Sequence, residues 1–130
     1  MNNPKIILID DDYVANFLNR EIIALYNHGL SVSVFENPLA ALEYLILENT
    51  VDDPDQTILF VDINMPLMTG WQFIELLQTD HPLLLKRLKI YLLSSSIDHN
   101  DKNRAAAHPH IADMFSKPID EALLPVILQS

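Results

Sequence analysis

The 130-residue chain contains no cysteine. That excludes disulfides, thiolate nucleophiles and zinc–thiolate sites. No stretch approaches the roughly 18 consecutive apolar residues of a membrane helix, so a membrane span is not expected. The start, Met1-Asn2-Asn3-Pro4-Lys5, lacks the charged-then-apolar order of an export signal, and the expected location is cytoplasmic. Positive charge is scarce. Eight Lys and Arg face eighteen Asp and Glu, for a formal net charge of −10. Such a chain repels DNA, RNA and anionic lipid, so direct nucleic-acid binding is not expected. The basic run Lys86-Arg87-Leu88-Lys89 is short and reads as a solvated turn. What is present is an ordinary globular mixture, 49% hydrophobic and 20% charged, which excludes a wholly disordered chain. The length fits one domain spanning residues 1–130.

Short apolar runs alternate with amphipathic stretches. Ile6-Ile7-Leu8-Ile9 is β-branched, too short for a helix and closed by Asp10, as expected of a strand buried on both faces. From Tyr13 to Asn27, Val14, Phe17, Leu18, Ile22 and Leu25 recur at helical spacing, with Gly29 as terminator. Ser31-Val32-Ser33-Val34-Phe35 alternates at period two, which suits a half-covered edge strand. Asn37-Pro38 is a cap followed by a first-turn proline and opens a helix to about Asn49. Thr57 to Asp62 is a second buried strand ending on an aspartate. A helix follows from about Trp71 to Thr79, then a strand from Leu88 to Leu93. A polar helix covers Asp98 to Ala107, Ile111 to Ser116 is the last strand, and the tail from Asp120 is helical in composition. Strand–helix alternation repeated five times predicts parallel strands joined by right-handed crossovers. The fold class is therefore α/β, a single doubly wound five-stranded parallel sheet with helices on both faces. The order expected is the flavodoxin-like 2-1-3-4-5, one of the two common doubly wound orders, and it would make strands one, three, four and five contiguous.

In open parallel sheets ligands bind beyond the carboxyl ends of the strands. Those ends carry Asp10, Asp11 and Asp12; Glu36 and Asn37; Asp62 and Asn64; Ser94, Ser95 and Ser96; and Lys117. Carboxylates from Asp10 or Asp11 and from Asp62 converge. Like charges near 4 Å repel by about 4 kcal/mol at an effective dielectric of 20. Either one of them takes a proton or a cation neutralises the group. An all-oxygen ligand set suits Mg²⁺. Lys117 adds a mobile point charge and Ser94 a hydroxyl donor. A carboxylate beside a metal, an ammonium and a hydroxyl is suited to accept a phosphoryl group.

The chain resembles the receiver domain of two-component response regulators. The resemblance rests on Ile7-Leu8-Ile9-Asp10-Asp11-Asp12, on Val61-Asp62-Ile63-Asn64-Met65-Pro66 followed by Gly70, on Ser94-Ser95 after a strand, and on Lys117-Pro118. Each piece is weak alone; the ordered set covers nearly the whole chain. The resemblance implies that Asp62 accepts a phosphoryl group from the phosphohistidine of a sensor histidine kinase or phosphotransfer protein. It implies that Asp10 and Asp11 hold Mg²⁺, with Asp11 the more direct ligand, and that Asp62 and the Asn64 carbonyl share the metal. Ser94 would bond the phosphoryl oxygen and move on activation, with Ser95 as the small residue beside it. Lys117 would pair with the phosphoryl group, and Pro118 would follow a cis bond. The family often has Tyr or Phe three residues before that lysine. Here Met114 stands there, with Phe115 adjacent. Either methionine fills the place as a flexible apolar plug, or Phe115 serves from the neighbouring position, which in a strand normally faces the other side. Pro125 lies inside the expected last helix and should kink or delay it.

The reading is a stand-alone receiver that passes its signal to a downstream protein target by contact. It would promote its own phosphotransfer and dephosphorylation without being an enzyme in the ordinary sense. Two alternatives come from other classes. A phosphorylation-independent adaptor of the same fold is opposed by the complete acid–hydroxyl–lysine set and weakly favoured by Met114. An aspartate-nucleophile phosphohydrolase would resemble a pattern with a second aspartate two residues after the first, where this chain has Asn64. Asp52, Asp53 and Asp55 lack the spacing of a calcium loop. His108-Pro109-His110 reads as a surface turn, and Trp71 as packing that borders the site at most.

Overall fold

The computed structural model describes residues 4–48 and 56–128. The acidic residues Asp52, Asp53 and Asp55 lie outside them. The order is β1 (Lys5–Ile9), α1 (Tyr13–Tyr26), β2 (Ser31–Phe35), α2 (Pro38–Glu48), β3 (Thr57–Asp62), α3 (Gly70–Asp80), α4 (Pro82–Leu85), β4 (Leu88–Ser94), α5 (His99–Ala107) and β5 (Ile111–Ser116). A 3₁₀ turn at Glu121–Leu123 then leads into α6 (Leu124–Leu128). The strands form one five-stranded sheet in the order β2-β1-β3-β4-β5, every pair parallel. Parallel pairing is what strand–helix alternation predicts, and the order is the expected flavodoxin-like one.

Both faces of the sheet are covered, which is why β1, β3 and β4 are nearly continuous apolar runs. On one face Ile7, Ile9, Leu59, Val61, Ile90 and Leu92 pack under residues of α2, α3 and α5. On the other, Ile6, Leu8, Ile58, Phe60, Tyr91 and Leu93 pack under Ile23 of α1 and under Leu124 and Ile127 of α6. Strand register carries the fold into the site. Ile9 pairs with Val61, so Asp10 and Asp62 are the next residues on neighbouring strands. Ser94 pairs with Ser116, which places Lys117 just beyond it.

Four local expectations are corrected. The apolar residues of α1 at helical spacing do not form its inner face: Val14, Phe17, Leu18 and Leu25 are 59%, 52%, 43% and 71% exposed. Asn16, Asn19 and Ile23 are buried instead. The same helix ends at Tyr26, and Asn27 rather than Gly29 caps it, its side chain accepting from the Gly29 amide at 2.8 Å. Lys89 is not a solvated turn residue. It lies in β4 and donates to the Ile127 carbonyl at 3.1 Å. The tail is not one helix from Asp120. Asp120 caps the 3₁₀ turn, and Pro125 falls in the first turn of α6, where its missing N–H costs nothing, so it delays the helix without kinking it. The structure also adds the four-residue α4, opened by Pro82 at its first position.

Candidate functional site

Asp10 directly follows β1 as a buried residue, only 2% exposed. Its backbone N–H donates to the Phe35 carbonyl at 3.0 Å. Its carboxylate accepts from the Asp12 amide at 2.9 Å and from Lys117 Nζ at 2.9 Å. Its own carbonyl accepts from Asn16 Nδ2 at 2.7 Å. Asp12 is the N-cap of α1, its side chain accepting from the Val14 and Ala15 amides.

Asp62 ends β3 and is likewise buried. One carboxylate oxygen accepts from the Asn64 amide at 3.2 Å, and the other lies 3.6 Å from Lys117 Nζ. Asp11 is exposed beside the pair, and one carboxylate oxygen from each of Asp10, Asp11 and Asp62 lies within 4.8 Å of the others. Among the described residues this is the group of acidic and histidine side chains arranged to hold a metal ion. Asn64 is exposed at its rim.

The charges explain one another. Burial, and then the neighbouring Asp10 charge, push the Asp62 carboxyl from 3.8 up to about 6, against the opposing pull of the Asn64 amide and Lys117. Burial works to lower the Lys117 ammonium. The bond to Asp10 and the charges of Asp10, Asp62 and Asp12 outweigh it, and Lys117 is held above its ordinary value. One ammonium thus faces three carboxylates, and the surplus of negative charge marks where a hard cation fits.

Ser94 is fully buried. Its hydroxyl donates to the Ser96 carbonyl at 2.9 Å and accepts from the Ser96 amide at 3.1 Å, so it is turned into its own loop. The Ser94 carbonyl accepts from the Lys117 backbone N–H at 2.9 Å, tying the ends of β4 and β5. Ser95 is exposed. The Lys117-Pro118 bond is cis. Met114 is fully buried against the α2, α3 and α5 side of the sheet. Phe115 faces the other side and stacks on Tyr91, ring centroids 5.4 Å apart. The two are therefore not interchangeable, and Met114 occupies the α5 side. The imidazoles of His108 and His110 are 5.9 Å apart, and His108 Nδ1 accepts from the His110 amide, as in a turn. Trp71 packs beside the α2–α3–α5 core and carries the Arg104 guanidinium 4.2 Å above its ring.

Sequence reasoning missed three features. Gly70 opens α3 so close to β3 that a Cβ there would lie 2.9 Å from the Asp62 carbonyl and 3.1 Å from Ile63 Cα. Asn16 and Asn19 turn inward from α1. Arg104 joins α5 to Trp71 at the start of α3. The inward asparagines left a trace in the sequence, two amides three residues apart within an apolar helix.

These features agree with what the chain is similar to. The family model of the response regulator receiver domain matches residues 6–129, and the chain belongs to this family. It is therefore a phosphorylation-based signalling domain of the two-component type, a class that works with kinases or phosphotransfer proteins, and not an enzyme in the ordinary sense. It is similar to a two-component response regulator from Cytophaga hutchinsonii (29% identity, 98% of this chain and 95% of that one, TM-score 0.88). It is also similar to a response regulator receiver protein from Dyadobacter fermentans (26% identity, 96% and 94%, TM-score 0.83). The phosphorylated cyanobacterial phytochrome response regulator RcpA shares the fold (22% identity, 98% and 90%, TM-score 0.69). No curated protein sequence matches the chain. Among the described residues no helix is long and apolar enough to cross a membrane.

Proposed function

We propose that Asp62 is the phosphoryl acceptor of this receiver, with a histidine kinase or phosphotransfer protein as donor in the cytoplasm. The observation that carries the reading is the placement of the Asp62 carboxylate: buried, within 4.8 Å of the Asp10 and Asp11 oxygens, and 3.6 Å from Lys117 Nζ. With its carboxyl at about 6, Asp62 is mainly ionised at neutral pH and able to attack. One Asp62 oxygen forms the new O–P bond in line as the donor's N–P bond breaks, and the donor imidazole keeps the electron pair. Lys117 offsets charge on the transferring oxygens. Asp10 and Asp11, with Asp62 and the Asn64 carbonyl, would hold Mg²⁺, which when bound supplies further charge neutralisation at the phosphoryl oxygens.

The phosphoryl group then adds roughly 1.5–2 negative charges to the site. Ser94 leaves Ser96 to bond a phosphoryl oxygen, and the space beside α5 is re-sorted around Met114. The altered surface of α5, β5 and α6 meets a downstream protein, and hydrolysis of the acyl phosphate by water resets it. The test is labelling with acetyl phosphate, followed by intact mass. The parent chain should gain one phosphoryl group with Mg²⁺ and little without it, and Asp11→Ala should raise the Mg²⁺ required. A parent that takes no label at any Mg²⁺ concentration contradicts the reading and favours the phosphorylation-independent adaptor.

A further inference from the structure

We infer that Asn16 and Asn19, on the buried face of α1, are positioning residues that fix Asp10 and Lys117 relative to each other for phosphotransfer; this rests on the acceptor role of Asp62. The two side chains lie about one helical turn apart and are 3% and 1% exposed. Asn16 Nδ2 donates to the Asp10 carbonyl at 2.7 Å. Asn19 Oδ1 accepts from the Ile119 amide at 2.8 Å, two residues past Lys117. Lys117 Nζ in turn donates to Asp10 Oδ2 at 2.9 Å. The contacts close a ring: Asp10, Asn16, one turn of α1, Asn19, Ile119, Lys117 and back to Asp10. A single helical turn thus sets the spacing between residues that are 107 positions apart in sequence.

Stability alone does not account for this arrangement. Asparagine is a weak helix former, and a buried amide must be matched atom by atom. Asn16 Oδ1 is buried and accepts no hydrogen bond from the described residues. Meanwhile Val14, Phe17 and Leu18 on the same helix stay outside. A helix selected only to cover the sheet would be turned the other way. The register that was kept is the one that puts two amides against the backbone on either side of the ion pair.

The test uses the full chain, acetyl phosphate and saturating Mg²⁺, with labelling rate, Mg²⁺ affinity and thermal melt read in parallel. Asn19→Leu should slow labelling roughly tenfold or more, the scale expected when a reacting group is misplaced. It should leave Mg²⁺ affinity unchanged, because it frees the Lys117 side and not the acids. Asn16→Leu should slow labelling and weaken Mg²⁺ binding together, because it frees Asp10. If Asn19→Leu melts too low to assay, Asn19→Ala is read in its place. Labelling of Asn19→Leu or Asn19→Ala at the parent rate overturns the inference, as does a loss of rate and Mg²⁺ affinity in proportion to lost stability. A parent that takes no label overturns the acceptor reading and this inference with it.

Discussion

Lys117 donates to Asp10 at 2.9 Å and stands farther from the proposed acceptor Asp62, at 3.6 Å. The ammonium is therefore docked on the acid beside the acceptor. A phosphoryl group on Asp62 brings new negative charge within its reach, and the lysine has only a short way to move.

Replacing that ammonium removes the cation that, among the described residues, pairs with the buried Asp10 and Asp62. Lys117→Met should lower stability by roughly 1–3 kcal/mol at pH 8 without metal, since a buried acid loses its charged partner. The lysine is held above its ordinary value, so its contribution is complete below about 10.5 and fades as pH rises through the folded-state value. Urea unfolding of parent and variant should therefore converge in strongly alkaline solution. Labelling should fall by about an order of magnitude or more at pH 8.

Asp62 has the opposite sign. Its folded-state value of about 6 exceeds the ordinary 3.8, so the native protein binds the proton more tightly than the unfolded chain does. Its cost to stability is absent at low pH, grows as pH rises from about 4 to 6, and is complete above that. A shift of this size corresponds to on the order of 2–3 kcal/mol. Asp62→Asn should therefore be more stable than the parent at pH 7.5 without metal, and the gain should vanish near pH 3.5. Urea unfolding at the two pH values checks it, and an equal gain at both would contradict the electrostatic account.

Gly70 is needed for its missing side chain. A Cβ there would sit 2.9 Å from the Asp62 carbonyl oxygen, a backbone atom rather than the end of a flexible side chain. Gly70→Ala should cost about 1–3 kcal/mol by overpacking and slow labelling as well, because the strain falls on the residue that carries the acceptor. Chemical denaturation and labelling rate measure the two effects.

Ser94 and Trp71 test the response separately from the chemistry. Trp71 is the single tryptophan of the chain and touches Arg104 of α5, so its emission reports α5. Ser94→Ala should keep most of its labelling rate, cost about 1 kcal/mol through the lost Ser96 hydrogen bonds, and show a smaller change in Trp71 emission on phosphorylation. A full emission change would reject the role of Ser94 in the response.

The sheet and the acidic centre were legible because they follow from the backbone. Ile6-Ile7-Leu8-Ile9 and the run from Thr57 to Val61 have no polar face, so parallel burial was the consistent choice, and Asp10, Asp62 and Lys117 fall at strand ends whatever their rotamers. Orientation of α1 was not legible. Counting its apolar residues points Val14, Phe17 and Leu18 inward, yet the decisive bonds join Asn16 to Asp10 and Asn19 to Ile119, the latter 100 positions away. Lys89 is a similar case, since its partner Ile127 lies 38 residues on. The tail misled for a local reason. Pro125 permits a helix to begin but not to run through it, so composition alone placed the start too early.

The most direct test of the central claim is to locate the phosphoryl group. The chain is labelled with acetyl phosphate and Mg²⁺, reduced with borohydride, which converts an aspartyl phosphate to homoserine, and mapped by peptide mass spectrometry. The account predicts homoserine at position 62 alone and none in Asp62→Asn; homoserine at position 10 or 11, or none in a labelled parent, would contradict it.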